Sequence, residues 1–225
     1  RPLIWMAIVL HRQGRSLEAE SLIRQAIVID PSDGEEGPSD RMRAYAVLAE
    51  ILEAKGAKAP AAGFRSAVQA IRISERSDEL HKLGLYERAF AGYREALGHF
   101  SDAYCIQSRM AVRLYERGRR EEAFEHYRRA YELMPDSFGR VESHCFGCES
   151  VFQGPAQQKI AEQVFSGFLR KEPQKPQLHY LLGYLEKERG LHAEALKRFR
   201  AAVDLDPEYL NAWKHLHELG GHVYV

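Results

Sequence analysis

The sequence predicts an all-α protein built as a stack of antiparallel helix hairpins, on three observations. A short pattern recurs in register: Gly190, Ala195, Phe199, Ala202 and Pro207 repeat the spacing of Gly118, Ala123, Tyr127, Ala130 and Pro135, and of Gly14, Ala19, Ile23, Ala26 and Pro31. Between these markers the apolar residues return at helical spacing. Glycine and proline stand where those helical stretches must stop and turn. A hairpin of this size cannot bury its own apolar face, so neighbouring hairpins must stack and share a core.

Taken in order, Leu3 to Gln13 is apolar on most faces and ends at Gly14. Ser16, with Glu18 and Glu20, opens the next helix, and Ala19, Leu22, Ile23, Ala26 and Ile27 form its stripe up to Asp30-Pro31. This first unit spans about 1–34. Ser32 to Asp40 reads as a polar loop. Arg41 to Lys55, with Tyr45, Leu48, Ala49, Ile51 and Leu52 inward, opens a second unit (41–70) and closes at Gly56. Gly56 and Gly84 lie only 28 residues apart (84 − 56), where a regular repeat needs about 34. One long or kinked helix over Phe64 to Leu83 is therefore expected to close the second unit and open the third (71–101). Ala89, Tyr93 and Ala96 mark the third unit's second helix. The fourth unit (102–137) is the most regular, with Ile106, Met110, Ala111 and Leu114 inward before Gly118. A fifth (140–174) begins with a helix near Arg140 to Gln153, turns at Gly154-Pro155 and continues through Ala161, Phe165 and Leu169. A sixth (176–208) and a partial seventh (209–225, with Trp213 and Leu216 inward) complete the map. The helical pattern is already running at the first residues and no polar closing helix follows the seventh start, so a longer parent protein is expected.

The totals exclude several classes. Lysine plus arginine and aspartate plus glutamate are 32 each, so the net charge of zero gives no long-range attraction to nucleic acid or anionic lipid. The longest apolar run, Leu3 to Leu10, is far short of the roughly 20 residues of a membrane span. Three cysteines make no disulfide framework, which points to a reducing, cytoplasmic setting. No phosphate loop, Gly-x-Ser-x-Gly or His-Glu-x-x-His motif is present, so no enzyme is expected. Glu121, Glu122 and Glu125 beside Arg119, Arg120 and Arg128 read as solvated pairs.

Leu182-Gly183, Gly190, Ala195, Phe199, Ala202 and Pro207, and again Ala111, Leu114, Gly118, Ala123, Tyr127, Ala130 and Pro135, resemble the tetratricopeptide repeat. The resemblance runs over nearly the whole chain. It implies a right-handed α-solenoid in which the first helix of each hairpin lines a concave groove. It also implies a non-catalytic scaffold or adaptor that binds peptide or helical segments of a partner protein, without a cofactor. Some members clamp a partner's C-terminal carboxylate with lysine, asparagine and arginine. Here the corresponding early positions are Ile4, Ile8, Val47 and Glu75, so that mode is not expected.

On this reading the solvent-facing groove positions are Arg43, Glu50, Ser108, Arg109, Val112, Phe146, Ser150, Tyr180, Tyr184 and Lys187, turning aromatic late in the array. Aromatic anchors beside cations suit peptide recognition. The open ends of the array leave room for self-association. A competing centre is His144-Cys145-Phe146-Gly147-Cys148, where His144, Cys145 and Cys148 share a helical face and carry zinc-ligand chemistry. A closed site needs four ligands, and no second Cys-x-x-Cys pair exists. Cys145 and Cys148 also fall on expected core positions, so packing outweighs a redox- or metal-responsive module. His215, His217 and His222 are expected as surface residues of the last unit.

Overall fold

Five turns are built the same way, and they set the architecture. Gly14, Gly56, Gly84, Gly118 and Gly190 all have φ between 75° and 79°, the left-handed region that only glycine enters without steric cost. Each follows a helix whose last carbonyls it satisfies. The amide of the glycine donates three residues back and the next amide five back, as in Gly190 N to Lys187 O (2.9 Å) and Leu191 N to Glu186 O (2.9 Å). This Schellman closure reverses the chain within two or three residues, so each glycine joins two helices of one hairpin.

The computed structural model describes residues 2–29, 40–134 and 154–220. Among these residues every regular element is a helix: α1 (Pro2–Arg12), α2 (Ser16–Ile29), α3 (Asp40–Ala54), α4 (Lys58–Lys82), α5 (Tyr86–His99), α6 (Tyr104–Glu116), α7 (Arg120–Glu132), α8 (Pro155–Lys171), α9 (Pro176–Glu188), α10 (His192–Leu205) and α11 (Leu210–Gly220). The first helix expected for the fifth unit, its cysteines and the polar loop after Pro31 lie outside the described residues. Each helix packs on its neighbours in sequence. The hairpins α1–α2, α3–α4, α6–α7 and α9–α10 are the tightest, together with α4–α5, and the stack continues through α2–α3, α5–α6, α7–α8, α8–α9 and α10–α11. This is an all-α repeat solenoid.

The long helix is present, but it starts earlier than Phe64. It runs for 25 residues from Lys58. Pro60 sits in its first turn, where a missing N–H costs no hydrogen bond. Its first half closes the hairpin with α3, and its second half opens the one with α5. The short 28-residue spacing is thus absorbed by one helix that serves two hairpins.

The core falls into three clusters of small and bulky side chains along the stack. Ala19, Ile23 and Ala26 meet Ala44, Leu48 and Ile51 near the start of the stack. Ala123, Tyr127 and Ala130 join Met110, Ala111 and Leu114 in its middle, and Ala195, Phe199 and Ala202 join Leu181, Leu182 and Leu216 near its end. Alanines let the helix axes approach, and the bulky residue between them fills the gap. Gly183 marks a close approach of α9 and α10: a Cβ there would lie 2.9 Å from the Cβ of Arg198 and 3.0 Å from the Phe199 ring. Phe165 is buried as expected, whereas Phe64, Leu169 and Trp213 are only half-buried.

Candidate functional site

The turn glycines also set a register for the first helix of each hairpin. Six and three residues before each glycine stand Ile8 and His11, Glu50 and Glu53, Asp78 and His81, Val112 and Tyr115, and Tyr184 and Lys187. Among the described residues two bridges join successive first helices along this face. In the first, Arg109 Nη1 on α6 donates to Asp78 Oδ2 on α4 at 3.2 Å, and the buried Tyr93 hydroxyl on α5 donates to Asp78 Oδ1. Burial, with the Asp78 charge beside it, pushes the Tyr93 phenol well above its ordinary pKa. It therefore stays a neutral donor, and Asp78 is held from two helices at once.

The second bridge joins α9 and α11. Lys187 Nζ lies 2.6 Å from Glu218 Oε2 and 3.0 Å from His215 Nδ1, and His215 Nδ1 lies 2.9 Å from the same Glu218 oxygen. The His215 ring is packed among Phe199 (5.0 Å between centroids), Tyr180 and Tyr184 (5.9 Å each). The hydrogen bonds from Lys187 and then His215 draw the Glu218 carboxyl down to about 2. Burial lowers the His215 pKa, with the Lys187 charge adding to it and Glu218 opposing. Neutral His215 uses Nδ1 in one role per tautomer: as Nδ1–H it donates to Glu218, and with the proton on Nε2 it accepts from the Lys187 ammonium. Protonated, that nitrogen only donates, to Glu218, and sits beside a second cation. The cluster thus combines an aromatic wall, a cation and an anion, with Lys187 and Glu218 reaching solvent.

The signs of these shifts fix a pH dependence. His215, His126 and His81 all have pKa values lowered by burial from 6.5. Each contributes stability that is present above 6.5 and is lost as pH falls toward its lower folded value. Glu218 adds a separate acid limb, lost between 4.5 and about 2. The melting temperature is expected to fall between pH 7 and pH 5, and the fall should be shallower in His215→Asn. Thermal unfolding followed by circular dichroism across that range checks it.

The expected groove residues divide. Tyr184 and Lys187 are half-buried on the face, and Glu50 is exposed. Arg43 is half-buried with its guanidinium 4.7 Å above the Trp5 ring. Val112 is half-buried. Ser108 (0% exposed), Arg109 (8%) and Tyr180 (6%) are not solvent-facing as expected but packed into the stack. Arg109 reaches Asp78 of α4, and the Tyr180 ring packs against Phe199 and Tyr209. His215 likewise is not a surface residue. Sequence reasoning set it aside because it stood in an incomplete unit, yet its register places it across from Lys187. His217 is exposed. Phe146, Ser150, His144, Cys145, Cys148 and His222 lie outside the described residues. Among the described residues no group of three or more His, Cys, Asp and Glu is placed to hold a metal ion, and no helix is long and apolar enough to cross a membrane.

Comparison with known families matches residues 159–209 to the tetratricopeptide repeat. A search of curated proteins found no match. The matched span runs from the first turn of α8 through α9 and α10 to Tyr209, the stretch that holds Gly183, Gly190 and Phe199. The same glycine turn, the same Ala–bulky–Ala stripe and the same neighbour packing recur in hairpins beyond that span, so the all-helical stack fits a tetratricopeptide repeat array of which residues 159–209 match the family.

Proposed function

We propose that this array is a non-catalytic scaffold that holds an extended or helical segment of a partner protein along the open face of its first helices. The grip is strongest at the α9–α11 end, through Tyr184 and Lys187 with His215 and Glu218 behind them. Arg43 and Glu50 extend the same face. Ser108, Arg109 and Tyr180 act from beneath it, holding the helices that present it. One observation carries this reading: a tyrosine ring and a lysine stand together on the face, already fixed by partners on the next hairpin. A side chain held in place before binding loses little entropy on contact. The family's common role in protein–protein interaction supports the same conclusion.

The test is selection of 12-residue peptides from a displayed random library on the native chain, followed by affinity measurement by fluorescence anisotropy. Tyr184→Ala combined with Lys187→Ala is expected to weaken the selected peptides at least tenfold, about 1.4 kcal/mol. Both side chains are only half-buried, so the far-ultraviolet dichroism should not change. Selected peptides that bind the double variant as tightly as the native chain would remove this face as the binding surface.

A further inference from the structure

One ion pair recurs between hairpins. The cation just before a turn glycine reaches back to a carboxylate on the second helix of the preceding hairpin. Lys55 Nζ, before Gly56, lies 2.7 Å from Glu20 Oε2 on α2, and Arg189 Nη1, before Gly190, lies 2.9 Å from Glu162 Oε2 on α8. A third cation in this position is Arg117, before Gly118, and the second helix preceding it is α5. Glu20 stands six residues after its turn glycine, but the same step on α5 is the buried Phe90. Among the described residues Arg117 pairs with no carboxylate, and its guanidinium lies 4.0 Å above the Tyr86 ring. A second departure lies beside it. Four residues after the turn glycine stand Glu18 on α2, Glu122 on α7 and Glu194 on α10, anions in a first turn where the helix dipole favours them. On α5 that residue is Arg88, exposed and likewise without a carboxylate among the described residues.

Both departures open on one cavity. It measures about 410 Å³ and lies between the turns at Gly84 and Gly118, with Arg88, Arg117, Arg119, Glu87, Leu85 and Tyr86 in its wall. It sits inside the stack, between the α4–α5 turn and the α6–α7 turn, and owes its opening to no chain end. Arg119 is answered by Glu122 at 2.7 Å and Glu87 at 3.2 Å. Arg88 and Arg117 are not, so the wall holds two uncompensated positive charges. We propose that this cavity binds a phosphomonoester carried on an apolar group, either a phosphorylated tyrosine side chain or a small free aryl phosphate. Such a group carries close to two negative charges at neutral pH, which answers both cations, whereas one carboxylate leaves one of them unpaired. Guanidinium N–H groups match phosphate oxygens in pairs. Leu85, 41% exposed, and the Tyr86 ring receive the apolar part. His81 packs edge-on against Tyr86 at 4.9 Å and holds that ring in place. The cavity is separate from the face of Tyr184 and Lys187 and does not depend on what that face binds.

The test titrates phenyl phosphate into the ¹⁵N-labelled full chain and follows the Gly84 and Gly118 amides by nuclear magnetic resonance. A Kd of about 1 mM is expected for a ligand of this size. Phenylacetate and inorganic phosphate should each bind at least fivefold more weakly, the first for want of charge and the second for want of an apolar part. Arg117→Ala should weaken phenyl phosphate at least tenfold without changing the dichroism, since the side chain is exposed. Arg88→Glu restores the residue type of the other hairpins. It should abolish binding and raise the melting temperature by about 2 °C, an opposition that a merely structural arginine would not produce. The two sources are separated by acetyl-Gly-phosphotyrosine-Gly-amide: affinity at least fivefold above phenyl phosphate assigns the cavity to a modified partner chain, and equal or lower affinity assigns it to a free ester. Unmoved Gly84 and Gly118 amides at 10 mM phenyl phosphate overturn the proposal. So does phenylacetate or inorganic phosphate binding as tightly as phenyl phosphate, or Arg117→Ala binding as the native chain does.

Discussion

Replacing Phe199 with alanine is expected to remove about 3–5 kcal/mol of stability. The ring is fully buried on α10 and packs on two other helices at once: Gly183 and Tyr180 of α9 on one side, and His215 of α11, 5.0 Å away, on the other. No single neighbour can collapse into the space it leaves, because Tyr180 and His215 are held in place by other contacts. Phe199→Leu keeps most of the volume and is expected to cost less than about 1.5 kcal/mol. Urea unfolding followed by dichroism separates the two. In a repeat stack each hairpin leans only on its neighbours. The alanine variant should therefore loosen α9 to α11 before the rest, with a lower denaturant slope than the native chain. An unchanged midpoint would mean that the seam between these helices does not hold the end of the array.

Much of this was legible in the sequence, because the repeat constrains it twice. The turn glycine needs a positive φ, and the Ala–bulky–Ala stripe needs a close helix contact. Both demands fall on residue types that few other positions would select. The long α4 was legible as well, from a spacing too short for a turn between two hairpins. The candidate site was legible only in part. Periodicity assigns a residue to a face, but it does not say how much of that face the neighbouring hairpin covers. Ser108, Arg109 and Tyr180 were assigned to the correct helices and are nonetheless buried, since adjacent first helices lie close enough to bridge directly. Arg109 illustrates why: a long cation on an apparently open face is drawn inward by Asp78 from the preceding hairpin, a partner 31 residues away. His215 was missed for the converse reason. Its neighbours Lys187, Tyr180, Tyr184 and Phe199 come from the hairpin before it, and its own helix carries no signal that they converge.

Gly183→Val is the second large effect, expected at about 3 kcal/mol. Glycine inside a helix costs up to about 1 kcal/mol relative to alanine, so its presence in the middle of α9 needs a compensating gain. The gain is proximity. A Cβ at this position would stand 2.9 Å from Arg198 Cβ and 3.0–3.1 Å from two carbons of the Phe199 ring. Arg198 Cβ is fixed to the backbone of α10, so the side chain cannot turn away and the two helices must part. The valine methyls would extend that clash into the ring itself. Combining Gly183→Val with Phe199→Ala tests the account. The cavity left by the ring accepts the valine methyls but does nothing for Arg198. The double variant should therefore lose about 0.5 to 3 kcal/mol less than the sum of the two losses. Strict additivity would show that valine is accommodated by moving α10 as a whole. In that case the α9–α10 spacing, rather than the ring, sets how closely successive hairpins can stack.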